Sequence, residues 1–194
     1  MVGNDIVDLD DMEVRTGPAH SRFDIRVFSA EERLAIAAAL EPNRLRWSLW
    51  AAKEAAYKVA VKRNPDVIFS PSRFTVELTD SHGGEVTHPN GRIGVTIHTR
   101  GDVVHAIARE CNEAQVISGF TAPRGSADPS SSVRQLALDE IAARVGVSKT
   151  DLRIGKEGRV PILELRNSAR QLDLSLSHHG RYVAFACQVG GLPA

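Results

Sequence analysis

The sequence is poor in cysteine and aromatic residues and has no excess of charge of either sign. Only two cysteines, Cys111 and Cys187, occur in 194 residues. They are far apart and lack CxxC spacing, so we expect two inert core thiols and neither a disulfide framework nor a zinc site. Lysine plus arginine equals aspartate plus glutamate at 24 each, which leaves no overall field to attract nucleic acid or an anionic membrane.

Long apolar runs are also missing. No segment approaches the length of a membrane-spanning helix, and the N-terminal residues lack the basic and apolar regions of a signal peptide. We therefore expect a cytoplasmic protein. The 42% hydrophobic and 25% charged residues are typical of a globular chain that can bury one sizeable core or two smaller ones.

The clearest local signal is a pair of helices between residues 30 and 62, where alanine, leucine, glutamate, arginine and lysine dominate. Pro42 and Asn43 interrupt this stretch. Ser29 and Glu32 have the spacing of a capping box at the start of the first helix.

The remaining elements repeat in order. Short strands with β-rich composition are predicted at residues 73–78, 92–99 and 103–108, and a linker rich in serine, proline and glycine at 121–132. A helix at 133–145 and strands at 159–165, 173–177 and 181–188 follow. We therefore predict an α+β chain of two similar helix-plus-antiparallel-sheet halves, residues 1–120 and 133–194, separated by the linker. The segment 101–108 also aligns without a gap to 180–187.

Acidic side chains stand out at the N-terminus, in the run Gly3-Asn4-Asp5-Ile6-Val7-Asp8. In a strand, Asp5 and Val7 share one face while Ile6 and Asp8 share the other. By itself this pattern is equally typical of an edge strand whose acids are solvated.

A second cluster lies on the second predicted helix. Helical spacing puts Trp50, Glu54 and Lys58 in one row, with Lys53 in the next. Such a row is often only an exposed ion pair with a core tryptophan. The alanines at 51, 52, 55 and 56 favour another interpretation, because small residues would let a large anionic ligand approach the helix.

A third cluster is the run Ser175-Leu176-Ser177-His178-His179-Gly180-Arg181, at the end of one predicted strand and the start of the next. It can bind phosphate or be a polar hairpin tip. Lys156 and Arg159, beside flexible glycines, add two cations upstream and are equally ambiguous.

Taken together and in this order, these segments resemble the 4'-phosphopantetheinyl transferases. That family carries a Gly-x-Asp-Ile-Val-Glu strand, a Phe-x-x-x-Glu segment, a Trp/Phe-x-x-Lys-Glu-Ala-x-x-Lys helix, a Gly-Lys-Pro region and a Ser-x-Ser-His strand. The matching residues here are 3–8, 28–32, 50–58, 158–161 and 175–178. The motif order resembles the small trimeric holo-(acyl carrier protein) synthases, whereas the length resembles the two-lobed transferases with their lobes exchanged.

The resemblance implies a pseudo-dimer with the active site in a cleft between the halves, so that a monomer can suffice. It implies that Asp5 and Glu54 hold Mg²⁺, which needs few protein carboxylates when phosphates complete its shell. It also implies that Lys53 and Lys58 lie near the diphosphate of coenzyme A. Asp5, Glu54 and Lys58 are then the candidate catalytic residues, with Glu54 or a metal-bound water as the general base.

The same resemblance assigns Ser177 and His178 to a coenzyme A phosphate. Arg159 stands near the lysine of the Gly-Lys-Pro region, but Val160 separates it from Pro161, so either Arg159 or Lys156 can take that position.

The implied reaction moves the phosphopantetheine arm of coenzyme A to a serine of an acyl or peptidyl carrier protein. Carrier proteins present an acidic helix, and the arginine-rich segment 15–46, including Arg22 and Arg26, is the candidate docking surface. Two other readings stay open: a non-catalytic coenzyme A or carrier-binding relative, and a nucleotide-diphosphate hydrolase that uses water as nucleophile.

Overall fold

The computed structural model describes residues 1–15, 21–80, 82–110, 115–123, 128–166, 168 and 171–189. Within these residues the chain forms five α-helices and two antiparallel sheets of five strands each. The helices are α1 (Met12–Arg15), α2 (Ser21–Val27), α3 (Ala30–Ala38), α4 (Pro42–Arg63) and α5 (Pro129–Val145). Two short 3₁₀ helices, Pro71–Arg73 and Lys149–Asp151, precede the second strand of each half.

The first sheet has the order β1-β5-β4-β3-β2, and the second has the order β6-β10-β9-β8-β7. The strands of the first sheet are β1 (Val2–Asp8), β2 (Thr75–Leu78), β3 (Gly83–His88), β4 (Gly91–Arg100) and β5 (Val103–Arg109). Those of the second are β6 (Val116–Thr121), β7 (Leu152–Glu157), β8 (Val160–Leu165), β9 (Gln171–His179) and β10 (Tyr182–Gln188). Each half is therefore a strand, a long helix and four strands, which confirms the predicted α+β fold of two similar halves.

The helix boundaries follow the local sequence signals. Ser29 accepts a hydrogen bond from the backbone N–H of Glu32, and the Glu32 carboxylate accepts one from the N–H of Ser29, so the predicted capping box is formed. Pro42 opens α4 in the first turn, where its missing N–H costs nothing. Asn64 ends that helix.

Three strands were not foreseen: β3, β6 and β7. β3 begins with Gly83 and Gly84, and a pair of glycines in a sequence is typical of a turn. In the sheet, a Cβ at Gly84 would lie 2.0 Å from the carbonyl oxygen of Glu77 on the adjoining strand, so close strand approach requires glycine there.

The change from one sheet to the other comes between β5 and β6. β6 pairs with β10 and so belongs to the second sheet, whereas the sequence placed the end of the first half at residue 120. The predicted linker 121–132 includes the end of β6 and the start of α5; its residues 124–127 lie outside the described part of the chain.

Each half has its own apolar core between its long helix and its sheet. Two smaller apolar clusters join the sheets to one another: Val2, Ile107 and Ala186 form one, and Ile6, Val103 and Ala184 form the other. The two halves are thus packed together through β1, β5 and β10.

Candidate active site

The first strand approaches α4 unusually closely. A Cβ at Gly3 would lie 2.1 Å from the carbonyl oxygen of Ala55, so only glycine allows this contact. Ala51, Ala52, Ala55 and Ala56 are fully buried. The small residues of the helix therefore admit strand β1 and the core rather than a ligand.

This approach brings Asp5 and Lys58 together. Asp5 lies on the face of β1 toward α4, and Lys58 Nζ donates to Asp5 Oδ1 at 2.9 Å and to the carbonyl oxygen of Asn4 at 2.7 Å. The side chains of Lys58 and Asp5 are 28% and 16% exposed. The ion pair can consequently be reached from solvent.

Glu54 lies one helical turn before Lys58 and is partly buried. The pKa of Glu54 is raised to about 7, chiefly by burial and then by the negative charge of Asp5, against the opposing charge of Lys58. Asp5 and Glu54 are thus close enough to repel each other. Such a carboxylate pair is stabilised by a cation, and its oxygens are the hard ligands that Mg²⁺ prefers.

Lys53 lies away from this cluster, in the protein interior. The expectation was a lysine near a diphosphate, but its side chain is completely buried. Lys53 Nζ donates to Glu32 Oε2 at 2.8 Å and to the carbonyl oxygens of Pro71 and Phe74. All three N–H groups are therefore used, and Lys53 ties α4 to the start of α3 and to the segment before β2.

Ser177 reaches the first half through Asn4. Ser177 is buried, and its Oγ accepts a hydrogen bond of 2.8 Å from Asn4 Nδ2. The same Nδ2 lies 3.2 Å from Nε2 of the buried His105, whose pKa is lowered to about 3 chiefly by burial. Ser177 therefore lies beside the residue that precedes Asp5, with its hydroxyl engaged between the sheets.

His178 points to the other face of β9 and is exposed. Its charge helps to lower the pKa of Asp128, after the larger effect of hydrogen bonds from Ser131. Asp128 caps the N-terminus of α5. His178 is thus located near the start of that helix.

Lys156 and Arg159 are exposed on the β7–β8 hairpin. β8 pairs with β9 up to Ile162 opposite Asp173, so the hairpin tip lies toward the end of β9 that carries Ser177. The two cations remain equivalent candidates in this geometry.

The site region contains an ion pair between the halves that motif reasoning did not assign. Asp8 is buried, and Arg181 binds it through two N–H groups at 2.7 Å each. These hydrogen bonds are the main reason that the pKa of Asp8 falls to about 2. Arg181 also contacts Asp10 and Asp102, so it joins the end of β1 to the β9–β10 turn, and three carboxylates offset its charge.

Lys62 was also missed, although its spacing offered a signal. It continues the row of Glu54 and Lys58 by one further turn. Its ammonium group contacts Asp173 of the second half at 2.6 Å. Contacts across 111 residues cannot be read from helical spacing alone.

The fold and the cluster define a two-halved α+β protein with a pair of acids and a lysine between a strand and a long helix. A family model described as the 4'-phosphopantetheinyl transferase superfamily matches residues 1–108. The chain belongs to this superfamily, whose members use coenzyme A and transfer its phosphopantetheine group. No curated protein matches the sequence significantly.

Two further findings concern the described part of the chain as a whole. Among the described residues, no group of three or more histidine, cysteine, aspartate or glutamate side chains could hold a metal ion. Within the same part of the chain, no helix combines the length and apolar character that crossing a membrane requires.

Proposed function

We propose that this chain is a Mg²⁺-dependent transferase that moves the 4'-phosphopantetheine group of coenzyme A to a serine of an acyl or peptidyl carrier protein. The observation that carries the proposal is the cluster of Asp5, Glu54 and Lys58, in which the charge of Asp5 acts on the partly buried Glu54 and Lys58 offers a partly exposed ammonium group. Membership of the superfamily supports the same reaction.

The two acids fit a magnesium ion. Asp5 and Glu54 would hold it, because Mg²⁺ is commonly bound through one or two carboxylates together with substrate phosphates and water. When bound, the ion would neutralise charge on the diphosphate of coenzyme A. Burial, and after it the charge of Asp5, raise the pKa of Glu54 by disfavouring its charged form, and this is the physical reason for a cation at this position.

Lys58 would bind the diphosphate directly. Two of its three N–H groups go to Asn4 and Asp5 in the described structure, so the third can donate to a phosphate oxygen. These contacts hold the ammonium group in a fixed orientation, and a preoriented cation stabilises the charge that grows on the leaving 3',5'-adenosine bisphosphate.

Glu54 is the proposed proton acceptor. The serine oxygen of the carrier forms a bond to the β-phosphorus, while the bond from that phosphorus to the bridging oxygen breaks and its electron pair leaves with the adenosine bisphosphate. The serine proton goes to a Glu54 carboxylate oxygen. A carboxylate oxygen can accept this proton if it lies within hydrogen-bond reach of the serine hydroxyl.

The other phosphate of coenzyme A would lie toward the second half. His178 is exposed beside the N-terminus of α5, a 17-residue helix whose dipole favours an anion. Arg159 or Lys156 on the neighbouring hairpin could add charge. Ser177 would act here by holding Asn4, because its hydroxyl is buried and engaged.

The carrier protein would dock on α2. Arg22 and Arg26 are exposed on this helix, and Ile25 between them is 66% exposed. Phe23 packs against Trp50 with ring centroids 5.2 Å apart, and Trp50 lies one turn before Glu54. An acidic helix bound here would therefore bring its serine near the two acids.

A single chain can supply residues from both halves to this region. The contact between the halves already buries the apolar clusters around Val2 and Ile6 and the Asp8 carboxylate, which binds the half-exposed Arg181. We accordingly propose a monomeric pseudo-dimer, which light scattering of the purified protein would test directly.

The central experiment incubates an apo carrier protein with the chain, coenzyme A and Mg²⁺ and determines the mass of the carrier. We expect the carrier to gain one phosphopantetheine group, and chelation of the metal to prevent this. Glu54→Gln should abolish transfer, whereas Arg63→Gln, an exposed position on the same helix, should retain it. Full transfer by Glu54→Gln would refute the assigned role, and coenzyme A cleavage without carrier would favour the hydrolase.

A second experiment tests the docking surface. Reversing the charge at Arg22 and Arg26 should raise the KM for the carrier severalfold and leave the KM for coenzyme A unchanged. Arg144, on α5 in the second half, provides a matched charge-reversal control. An unchanged carrier KM would exclude α2 as the docking helix.

A further inference from the structure

β1 is an edge strand of the first sheet, and side chains bind its outer edge where another strand would pair. The backbone N–H of Val2 donates to the Asp173 carboxylate, and that of Asn4 donates to Ser175 Oγ at 2.9 Å. Both acceptors belong to β9. The second half therefore holds the strand that carries Asp5.

Lysines of α4 bind the carbonyl groups on the same edge. Lys58 Nζ donates to the carbonyl oxygen of Asn4, and Lys62 Nζ donates to that of Val2 at 2.6 Å. The two lysines are one helical turn apart and follow Glu54 by one and two turns. The helix that carries one acid thus holds the strand that carries the other.

Lys62 is the residue at which all three elements meet. Besides Val2, its ammonium group donates to Asp173 Oδ1 at 2.6 Å and to the carbonyl oxygen of Leu174 at 2.9 Å. Its side chain is only 7% exposed. Because its three N–H donors have three acceptors, the ammonium group has a single orientation. The Asp173 carboxylate binds both Lys62 and the backbone N–H of Val2, so it links α4, β1 and β9.

We infer that Lys62 and Asp173 are positioning residues: by fixing the outer edge of β1 between α4 and β9, they set the location of Asp5 relative to Glu54. Neither residue touches the site itself. This inference rests on the proposed function, because the relative position of Asp5 and Glu54 matters in this way only if the two acids bind a metal ion together. A purely structural ion pair would stabilise the protein without affecting those acids.

The test measures Mn²⁺ binding by electron paramagnetic resonance of the free ion, using the full chain without coenzyme A. Residues that orient metal ligands typically change metal affinity by about 10–100-fold, so Lys62→Met and Asp173→Asn should weaken Mn²⁺ binding by roughly tenfold. Arg63→Met is the matched control. This substitution replaces the charged side chain that follows Lys62 on α4, which is 64% exposed and lies 3.8 Å from Glu110. The Arg63→Met variant should bind Mn²⁺ like the wild type.

A double variant separates positioning from stability. Replacing both members of a buried ion pair by apolar residues is often neutral or stabilising, so Lys62→Met/Asp173→Leu should recover stability lost in Lys62→Met. It cannot restore the bonds to Val2, and Mn²⁺ binding should stay weak. Recovery of Mn²⁺ affinity together with stability would overturn the inference, as would wild-type affinity in a folded Asp173→Asn variant.

The two proposals fail in different ways. If the wild-type chain transfers no phosphopantetheine but Lys62→Met and Asp173→Asn weaken Mn²⁺ binding, the proposed reaction is wrong and the positioning role stands. If transfer occurs and Mn²⁺ binding is unaffected by both substitutions, the reaction stands and the positioning role is wrong.

Discussion

Replacing Glu54 by glutamine removes one of two repelling carboxylates and keeps the size of the side chain. The pKa of Glu54 is raised from 4.5 to about 7 by burial and by the charge of Asp5. A raised pKa means that the folded state binds this proton more tightly than the unfolded state. The stability that protonated Glu54 contributes to the folded protein is therefore fully present below pH 4.5. It is lost as the pH rises through about 7.

The size of this effect follows from the shift. Each pKa unit corresponds to about 1.4 kcal/mol, so ionisation of Glu54 should cost the metal-free protein on the order of 3 kcal/mol at pH 8. In a chain of this length, that corresponds to a change in Tm of roughly 6–12 °C.

The pH dependence of the wild type alone would hide this effect. The pKa of the buried His105 is lowered from 6.5 to about 3, so its contribution to stability is present above pH 6.5 and is lost as the pH falls toward 3. In the pH range that the two groups share, a rise in pH therefore lowers the stability through Glu54 and increases it through His105. Because His105 is present in both chains, the difference between wild type and Glu54→Gln isolates Glu54.

We therefore expect Glu54→Gln to be more stable than the wild type at about pH 8 in the presence of a chelator, and equally stable at about pH 4. Urea unfolding followed by circular dichroism measures both differences. Mg²⁺ should raise the Tm of the wild type and not that of the variant, since only the native wild type offers both acids. A difference that is the same at the two pH values, or a variant less stable at pH 8, contradicts the argument.

Three further predictions concern the buried groups. Asp8→Asn should lower the free energy of unfolding by about 2 kcal/mol at neutral pH; because the pKa of Asp8 is depressed to about 2, urea titrations should show this difference vanish as the pH falls from 3.8 to 2. Lys53→Met should destabilise the protein by about 3–5 kcal/mol in urea unfolding, since it leaves the Glu32 carboxylate buried without its cation, and an unchanged midpoint would contradict the enclosed ion pair. In a Cys111→Ser background, Cys187 should resist a thiol reagent until urea unfolds the chain, because the thiol is fully buried and its pKa is raised to about 12.

The resemblance to the family predicted that Asp5, Glu54 and Lys58 act together, and local signals predicted the strand or helix on which each residue lies. The strand alternation of Gly3 to Asp8 and the helical row of Glu54 and Lys58 depend only on backbone period. The structure has Asp5 on the face of β1 toward α4, next to Lys58 and near enough to Glu54 to shift its pKa. The repeated order of helix and strands likewise indicated two similar halves, since each half builds its own core.

The contrast between Lys53 and Lys58 marks the limit of such reasoning. They lie five residues apart on one helix and belong to the same sequence motif, yet one is enclosed by Glu32 and two carbonyl groups while the other remains partly exposed. Which face of α4 meets α3 and which meets β1 is set by packing. No spacing rule distinguishes the two.

The amino-acid sequence by itself thus determined most of the elements, their repetition and the helical row of Glu54 and Lys58, because these follow from short-range periodicity and capping. The tertiary structure alone decided that β6 joins the second sheet, that Arg181 neutralises Asp8, and that Lys62 meets Asp173. Strand pairing and ion pairing between residues far apart in the sequence depend on which surfaces come together, and burial of a charge is settled only when they do.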